Sequence, residues 1–412
     1  MLVHWIWFAH RPGLNDRDKM ALLQHFRDPE DIYFADDGAF DAIGLSEDAK
    51  TALREKNLTS AEEILEACDR EKLHILTCQD AAYPARLKNI ADPPVVLYYK
   101  GRLPDFDGSP VIGVVGTRKA SAYGLTTAKR MGYQIARCGG IVVSGMAYGI
   151  DGMAMSGALT AGAPAVGVLG CGADIVYPVS NRALFRDTEE YGCILSEFAP
   201  GTPPAKWTFP KRNRIISGLS CGVLVVEAPE KSGALITAAT ALEQGREVYA
   251  VPGAALSGQS LGCQELVRQG AKPVFAPEDV LEDLAGPLRD FGVQADHLTR
   301  EAAERRRRAE AEGTGLSRTL FACMPPETDT PPKADPGNGE ERPTQGAGDT
   351  DTAAPSPAQD TIIPLLREQG PLHVDALGAA LGRSPAELAP VLLGLEIMGR
   401  IRRLPGARYE AV

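Results

Sequence analysis

The stretch from Ser109 to Ser156 contains one device twice, and few folds accommodate it. An unbroken apolar run, Val111-Ile112-Gly113-Val114-Val115, stops at Gly116-Thr117-Arg118, and helical periodicity follows from Tyr123 to Arg137. Ile141-Val142-Val143 repeats the run, Ser144-Gly145 breaks it, and a second helix is expected from about Gly149. Strands that are apolar at every position are buried on both faces, as parallel strands under helices are. Their alternation with helices predicts an α/β fold with a doubly wound parallel sheet. A strand that ends in glycine and restarts as a helix leaves backbone N–H groups beside a positive dipole end, which suits phosphate. Two such turns on neighbouring strands would face one crevice. Arg118 would add a guanidinium fork there. Neither GxGxxG nor the Gly-Lys-Ser/Thr of a P-loop is present, so tight-turn packing is the competing reason for these glycines.

The βα alternation runs over residues 109–285. Further strands are expected at Ala165–Leu169, Cys193–Glu197, Val223–Glu227, Glu247–Val251 and Lys272–Phe275. Residues 71–108 read as a connector with short strands at Leu73–Leu76 and Val95–Lys100. Residues 1–70 read as a small helical, SAM-like unit with helices near Asp16–Phe26, Glu47–Glu55 and Ser60–Cys68, and with Ser46 and Thr59 as caps. Ala42-Ile43-Gly44-Leu45 resembles a helix–hairpin–helix turn, but its surroundings are acidic, so packing or protein contact is the expected role. Residues 286–312 read as a helical exit, with Arg305 to Arg308 on a solvated face. The segment 313–358, rich in Pro, Gly, Thr, Asp and Glu, reads as a disordered linker. Residues 359–412 close the chain as a winged-helix domain. It has helical patterns at Thr361–Glu368, Val374–Leu381 and Pro385–Met398, a capping box at Ser384-Pro385-Ala386-Glu387, and a basic hairpin from Arg400 to Tyr409. Its third helix offers no Lys or Arg before Arg400, so DNA and protein both remain open as its ligand.

Charge matters through its distribution. The formal net charge is −11. Residues 1–70 carry 15 acids against 8 bases, whereas residues 109–280 carry 13 against 15. An acidic chain can therefore still present a basic crevice. The eight cysteines form no CxxC pair, so no zinc or thioredoxin-like centre is expected; scattered thiols suit a reducing cytoplasm. The opening MLVHWIWFAHRPG lacks a basic flank and a cleavage site and is expected to be structured rather than a signal peptide. No apolar run reaches the ~20 residues of a membrane span.

A second constellation is Lys206-Trp207-Thr208-Phe209-Pro210-Lys211-Arg212-Asn213-Arg214. It follows a strand and opens a helix, so it belongs to the same sheet edge. Cations interleaved with rings are what an unpaired nucleic acid strand needs: charges for phosphates and faces for bases. Trp207 could equally be structural, and Arg214 could pair with Glu197 or Glu227. Lys231-Ser232-Gly233 makes a third strand-to-helix turn suited to phosphate. Catalytic signals are thin. Residues 75–296 contain no histidine, Ser144-Gly145 lacks the GxSxG elbow, and Asp151 reads as a dipole or capping residue. The chain is therefore expected to bind rather than catalyse, without cofactor or metal.

Several motifs occur in a recognisable order. They include Val114-Val115-Gly116-Thr117-Arg118, Ser121-x-Tyr123-Gly124, Val143-Ser144-Gly145-Met146-Ala147-Tyr148-Gly149-Ile150-Asp151 and Val168-Leu169-Gly170-Cys171-Gly172. Tyr177-Pro178-x-x-Asn181, Phe209-Pro210-x-Arg212-Asn213-Arg214 and Ser232-Gly233-x-Leu235 continue the series. Over about residues 80–280 the chain resembles the DNA-processing protein A (DprA/Smf) family. The resemblance implies an extended Rossmann-like domain that binds single-stranded DNA without sequence preference, protects incoming strands in natural transformation and loads RecA. It further implies a homodimer, no enzymatic activity, and single-strand-binding protein as an additional partner. By resemblance, Gly116-Thr117-Arg118 is the phosphate turn, Lys206 and Phe209 are the basic and stacking residues, and Lys231-Ser232-Gly233 is the loop before the Ser-Gly helix. Met146 and Met155 depart from the family's usual Leu and His, at positions a phosphate contact does not need. The alternatives are a nucleotide hydrolase of the lysine-decarboxylase-like Rossmann group, whose Pro-Gly-Gly-x-Gly-Thr turn is missing here, and a regulator that binds duplex DNA through the winged helix.

Overall fold

The computed structural model of the chain describes residues 1–283 and, nearer the C-terminus, residues 362, 364–367, 370–381, 388, 392, 401–404 and 408–411. The expected helical exit, the linker, the capping box at Ser384 and Arg400 lie outside the described residues. The chain divides into two compact units, residues 1–326 and 327–412.

The N-terminal unit opens with five helices: α1 (Leu2–Ala9), α2 (Asp16–His25), α3 (Pro29–Phe34), α4 (Glu47–Arg54) and α5 (Thr59–Glu71). Two of them, α1 and α3, are additions to the sequence reading. The opening apolar run is a helix whose Trp5, Ile6, Trp7 and Phe8 are all buried, which leaves no polar face from which to read a period. Asp28 caps α3, accepting the Glu30 and Asp31 amides, with Pro29 in its first turn. Ser46 caps α4 as expected. Thr59 does not cap α5: the Asn57 side chain accepts the Thr59 amide at 2.8 Å.

The chain then alternates β1 (His74–Thr77), α6 (Ala85–Lys88), β2 (Val96–Gly101), β3 (Val111–Val115), α7 (Ala122–Arg137), β4 (Ile141–Ser144) and α8 (Ile150–Thr160). It continues with β5 (Ala165–Val168), α9 (Arg182–Tyr191), β6 (Cys193–Ser196), α10 (Thr208–Leu219), β7 (Gly222–Val225), α11 (Gly233–Glu243), β8 (Glu247–Ala250), α12 (Leu261–Arg268) and β9 (Lys272–Pro273). One nine-stranded sheet results, in the order β1-β2-β6-β5-β4-β3-β7-β8-β9. From β6 to β9 neighbouring strands are parallel, with Gly113 of β3 in register with Val143 of β4 and Val223 of β7. The two connector strands join the same sheet, β2 antiparallel to β6 and β1 antiparallel to β2. The expected parallel sheet thus carries an antiparallel margin. Strand order reverses between β3 and β7, and in open α/β sheets ligands bind outside the carboxyl ends of the strands at such a point.

β3 to β7 are buried at every position, which explains their apolar sequence. Cys68, Cys78, Cys138, Cys171, Cys193 and Cys263 are buried. No described helix is long and apolar enough to cross a membrane. In the second unit, β10 (Leu372–His373), α13 (Val374–Leu381), β11 (Ile401–Leu404) and β12 (Arg408–Ala411) form a three-stranded sheet beside helix. Its core is Ile362, Leu366, Leu377, Leu388, Leu392 and Ile401. The expected basic hairpin is β11–β12, and within it Arg402 is paired with Glu410.

The helical unit is fastened to the sheet by polar contacts. His10 and the Tyr98 hydroxyl lie 2.7 Å apart. Asp16 of α2 lies 3.8 Å from Lys211 and 3.9 Å from Arg214 of α10, and within the helical unit Lys19 donates to the Ala9 carbonyl at 2.6 Å. Burial, and then the Lys19 and Lys211 cations, push His10 down from its ordinary value to about 4. The unfolded chain therefore takes up this proton near pH 6.5, while the folded chain resists it until about pH 4. The stability that His10 contributes is whole above its ordinary pKa and drains as pH falls from 6.5 towards 4, at no more than about 1.4 kcal/mol per pH unit for one proton. His10→Gln is expected to flatten this limb, read from urea midpoints across that range. An unchanged slope would assign the pH dependence to other groups.

Candidate nucleic-acid interface

The C-terminal ends of β6, β5, β4, β3 and β7 bring five loops side by side. These loops and the helices they open carry the residues singled out from the sequence, but the structure divides those residues into a set near solvent and a buried one.

The exposed set centres on Arg118, which lies over the half-buried Phe209. Arg118 follows β3 and projects over the ring of Phe209, with its guanidinium carbon 4.9 Å from the ring centroid. Phe209 stands in the first turn of α10 and lies against the end of β5. A Cβ on Gly170 would come within 2.9 Å of its Cδ1, so the absent side chain is what admits the ring. Thr208 fixes the same turn, its buried hydroxyl donating to the Gly170 carbonyl at 2.5 Å. Tyr177, on the loop after β5, lies 5.8 Å from Phe209, centroid to centroid, at 37°. Lys206 and Lys119 are exposed beside these groups in sequence. Trp207 is exposed and meets Phe198 edge-on at 5.7 Å, so it is a surface ring rather than a core residue. Lys231 is exposed, while the Ser232 hydroxyl accepts the Ala234 amide at 3.3 Å and caps α11 at Gly233.

The buried set consists of residues whose polar groups are used internally. Ser144 donates its hydroxyl to the Val114 carbonyl at 2.5 Å. The Gly145 amide, expected to face a phosphate, donates instead to the buried Asp151 carboxylate at 3.1 Å. Asp151 therefore holds the loop before its own helix, and burial raises its pKa. Arg212 is 4% exposed. It donates to the Gly145 carbonyl at 2.8 Å and to the Val168 carbonyl, and its Nε donates to Asn213 at 3.1 Å. Burial pulls Arg212 down to about 10. Arg214 pairs with Glu197, as one of the two sequence alternatives had it, and also with Asp92 at 3.2 Å and Asp16 at 3.9 Å. Lys211 lies 3.8 Å from both Asp16 and Glu197. Ser144, Gly145, Arg212 and Arg214 are thus removed from the ligand-facing set by burial, and Lys211 is drawn towards the helical unit.

The first turn is likewise closed from beneath. Glu227, at the end of β7, accepts the Ser121 amide at 2.8 Å and the Ser121 hydroxyl at 2.6 Å, and its carbonyl accepts the Thr117 amide at 2.7 Å. The start of α7 is therefore occupied by the chain's own carboxylate, while Arg118 and Lys119 of the same loop stay exposed. Gly149, at φ 74°, lets the loop after β4 lie directly on the Thr117 carbonyl. Asn181, missed as a functional residue, donates to the Met146 and Ala147 carbonyls at 2.9 and 3.2 Å and props this loop from the β5 side. Its signal was visible in the Tyr177-Pro178-x-x-Asn181 motif, where both residues serve the same edge.

Comparison with known proteins supplies independent information. The family model described as DNA recombination-mediator protein A matches residues 74–285, and that of the DprA winged helix domain matches residues 347–407. Protein Smf of Synechocystis is 31% identical over 99% of this chain and 98% of its own length. The DNA processing protein DprA of Bacillus subtilis is 43% identical over 54% of this chain and 74% of its own. Among solved structures, DNA processing protein A of Streptococcus pneumoniae aligns with 68% of this chain and 97% of its own at a TM-score of 0.60 and 34% identity.

The internal role of Arg212 yields a prediction. Arg212→Met strips two buried carbonyls of their donor and is expected to cost on the order of 2–4 kcal/mol of stability in urea unfolding. Arg212→Lys recovers only part, because an ammonium lacks the planar fork. A Met variant as stable as the parent would show that the bridge is dispensable.

Proposed function

The chain belongs to the DNA recombination-mediator protein A family, and from that premise we propose that it binds single-stranded DNA at the edge formed by Arg118, Lys119, Lys206 and Phe209. The observation that carries the reading is the Arg118 guanidinium held 4.9 Å over Phe209 on an open sheet edge. A guanidinium offers two parallel donors to a phosphate, and a half-exposed ring beside it can stack an unpaired base. Stacking of this kind contributes ~1–3 kcal/mol per base without regard to sequence. A duplex hides its base faces, so the same edge discriminates against it. Lys231, on the neighbouring loop, extends the cationic border.

The role we assign is DNA processing in transformation and recombination: coating of an incoming strand and delivery of RecA onto it, by a homodimer in the cytoplasm. The site is read as a binding surface and not a catalytic one. Asp151 and Glu227, the carboxylates beneath the loops, already accept backbone amides, and Ser144 spends its hydroxyl on Val114. Release of free base from a nucleoside monophosphate would overturn this part of the reading.

Arg118→Ala is expected to weaken binding of a 30–60-nucleotide single strand several-fold in fluorescence anisotropy, and Phe209→Ala to do the same. Affinity should fall steeply with salt, by about 0.7 in log K per log unit of salt for each phosphate neutralised. Equal affinity for duplex and single strand, or an unaffected Arg118 variant, would remove the assigned site. Faster RecA assembly on a strand coated with single-strand-binding protein, when this chain is added, tests the delivery step.

A further inference from the structure

The chain exposes seven aromatic side chains among the described residues: Phe34, Tyr123, Tyr148, Tyr177, Tyr191, Trp207 and Phe275. Four of them lie on the segments that leave four strands at one sheet edge, Tyr123 in the first turn of α7 and the other three on loops. Tyr123 follows β3, Tyr148 follows β4, Tyr177 follows β5 and Trp207 follows β6. These strands are immediate neighbours in the order β6-β5-β4-β3. Single exposed rings are ordinary on a protein surface. One exposed ring on the connection that follows each of four adjacent strands, together with exposed cations, is a pattern. Adjacent strands lie about 4.8 Å apart, so the four ends span roughly 15 Å.

We propose that Tyr123, Tyr148, Tyr177 and Trp207 form a stacking row that prolongs the Arg118–Phe209 site into a track for an extended, unpaired nucleic acid strand. The inference rests on the reading given above and adds its footprint and direction: the strand crosses the sheet edge from β3 towards β6, perpendicular to the β-strands. Tyr177 is the link, because its ring touches Phe209. Trp207 is held at the β6 end by its edge contact with Phe198. Tyr148 is carried by the loop that Asn181 and Gly149 hold against Thr117. Arg118 lies over Phe209, the ring that Tyr177 meets, and Lys119 and Lys206 are exposed on the segments after β3 and β6, so charge complementarity favours a polyanion with exposed base faces over an apolar protein partner. The track accommodates ~4 nucleotides, at the short end of single-strand site sizes.

The chain has three tryptophans, and Trp5 and Trp7 are buried at 8% and 4% exposure, against 63% for Trp207. Quenching of tryptophan emission by oligo-dT therefore reports on Trp207. With the full chain, quenching should rise with oligonucleotide length up to a plateau and vanish in Trp207→Phe, while anisotropy still registers binding. Tyr148→Ala and Tyr177→Ala should each weaken affinity for a long oligonucleotide about five-fold or more, and Tyr177→Phe should restore it. If both alanine variants bind as tightly as the parent while Arg118→Ala does not, the row is wrong and the site stands. If the parent itself fails to bind single strands, the site and the row fall together.

Discussion

The edge exists because Arg212 is buried beneath it. Its guanidinium bridges the carbonyl at the end of β4 to the carbonyl at the end of β5. These carbonyls stand where the strands stop and ladder partners run out, in a place too closed for water. A buried acceptor without a donor costs about 1–3 kcal/mol, so two neighbouring strand ends would otherwise splay or flood. Arg212 enters from α10, the helix that carries Phe209 in its first turn. One side chain therefore sets the spacing of two loops and the seat of the ring above them.

Beneath the same edge, acids do the work expected of a ligand. Asp151 holds the turn after β4 and Glu227 holds the turn after β3. This explains how a chain of net charge −11 presents a cationic rim. Asp151, Glu227 and Glu197 face inward onto backbone amides and onto Arg214, while Arg118, Lys119, Lys206 and Lys231 face water, with Glu230 the exposed acid among them. The local field, not the sum of charges, governs what approaches.

The fold was legible because its strands are buried on both faces, which writes their position directly into composition. Nearly every strand from Val111 onward falls within a residue or two of its expected place. The antiparallel margin was not legible, since short strands in a connector carry no sign of the sheet they join. The site was half legible. Motif and spacing singled out loops that the structure sets at one sheet edge, where Arg118 lies over Phe209. What sequence could not distinguish was a cation aimed at solvent from one aimed at a carbonyl. Arg212 and Arg214 sit one residue apart from Lys211 and Asn213, and a helical rotation of ~100° per residue decides which of them reaches the core. Asp151 sits in the first turn of α8, as its reading as a dipole or capping residue has it, and the amide it takes is that of Gly145 in the loop before the helix.

Asp16 of α2 reaches both Lys211 and Arg214 of α10. The acidic helical unit and the aromatic seat are thus mounted on opposite sides of one twelve-residue helix, about 18 Å long. A helix of that length transmits torque as a rigid shaft. Both contacts with Asp16 lie within about a turn and a half of Phe209, so the acidic helical unit and the ring share one mount.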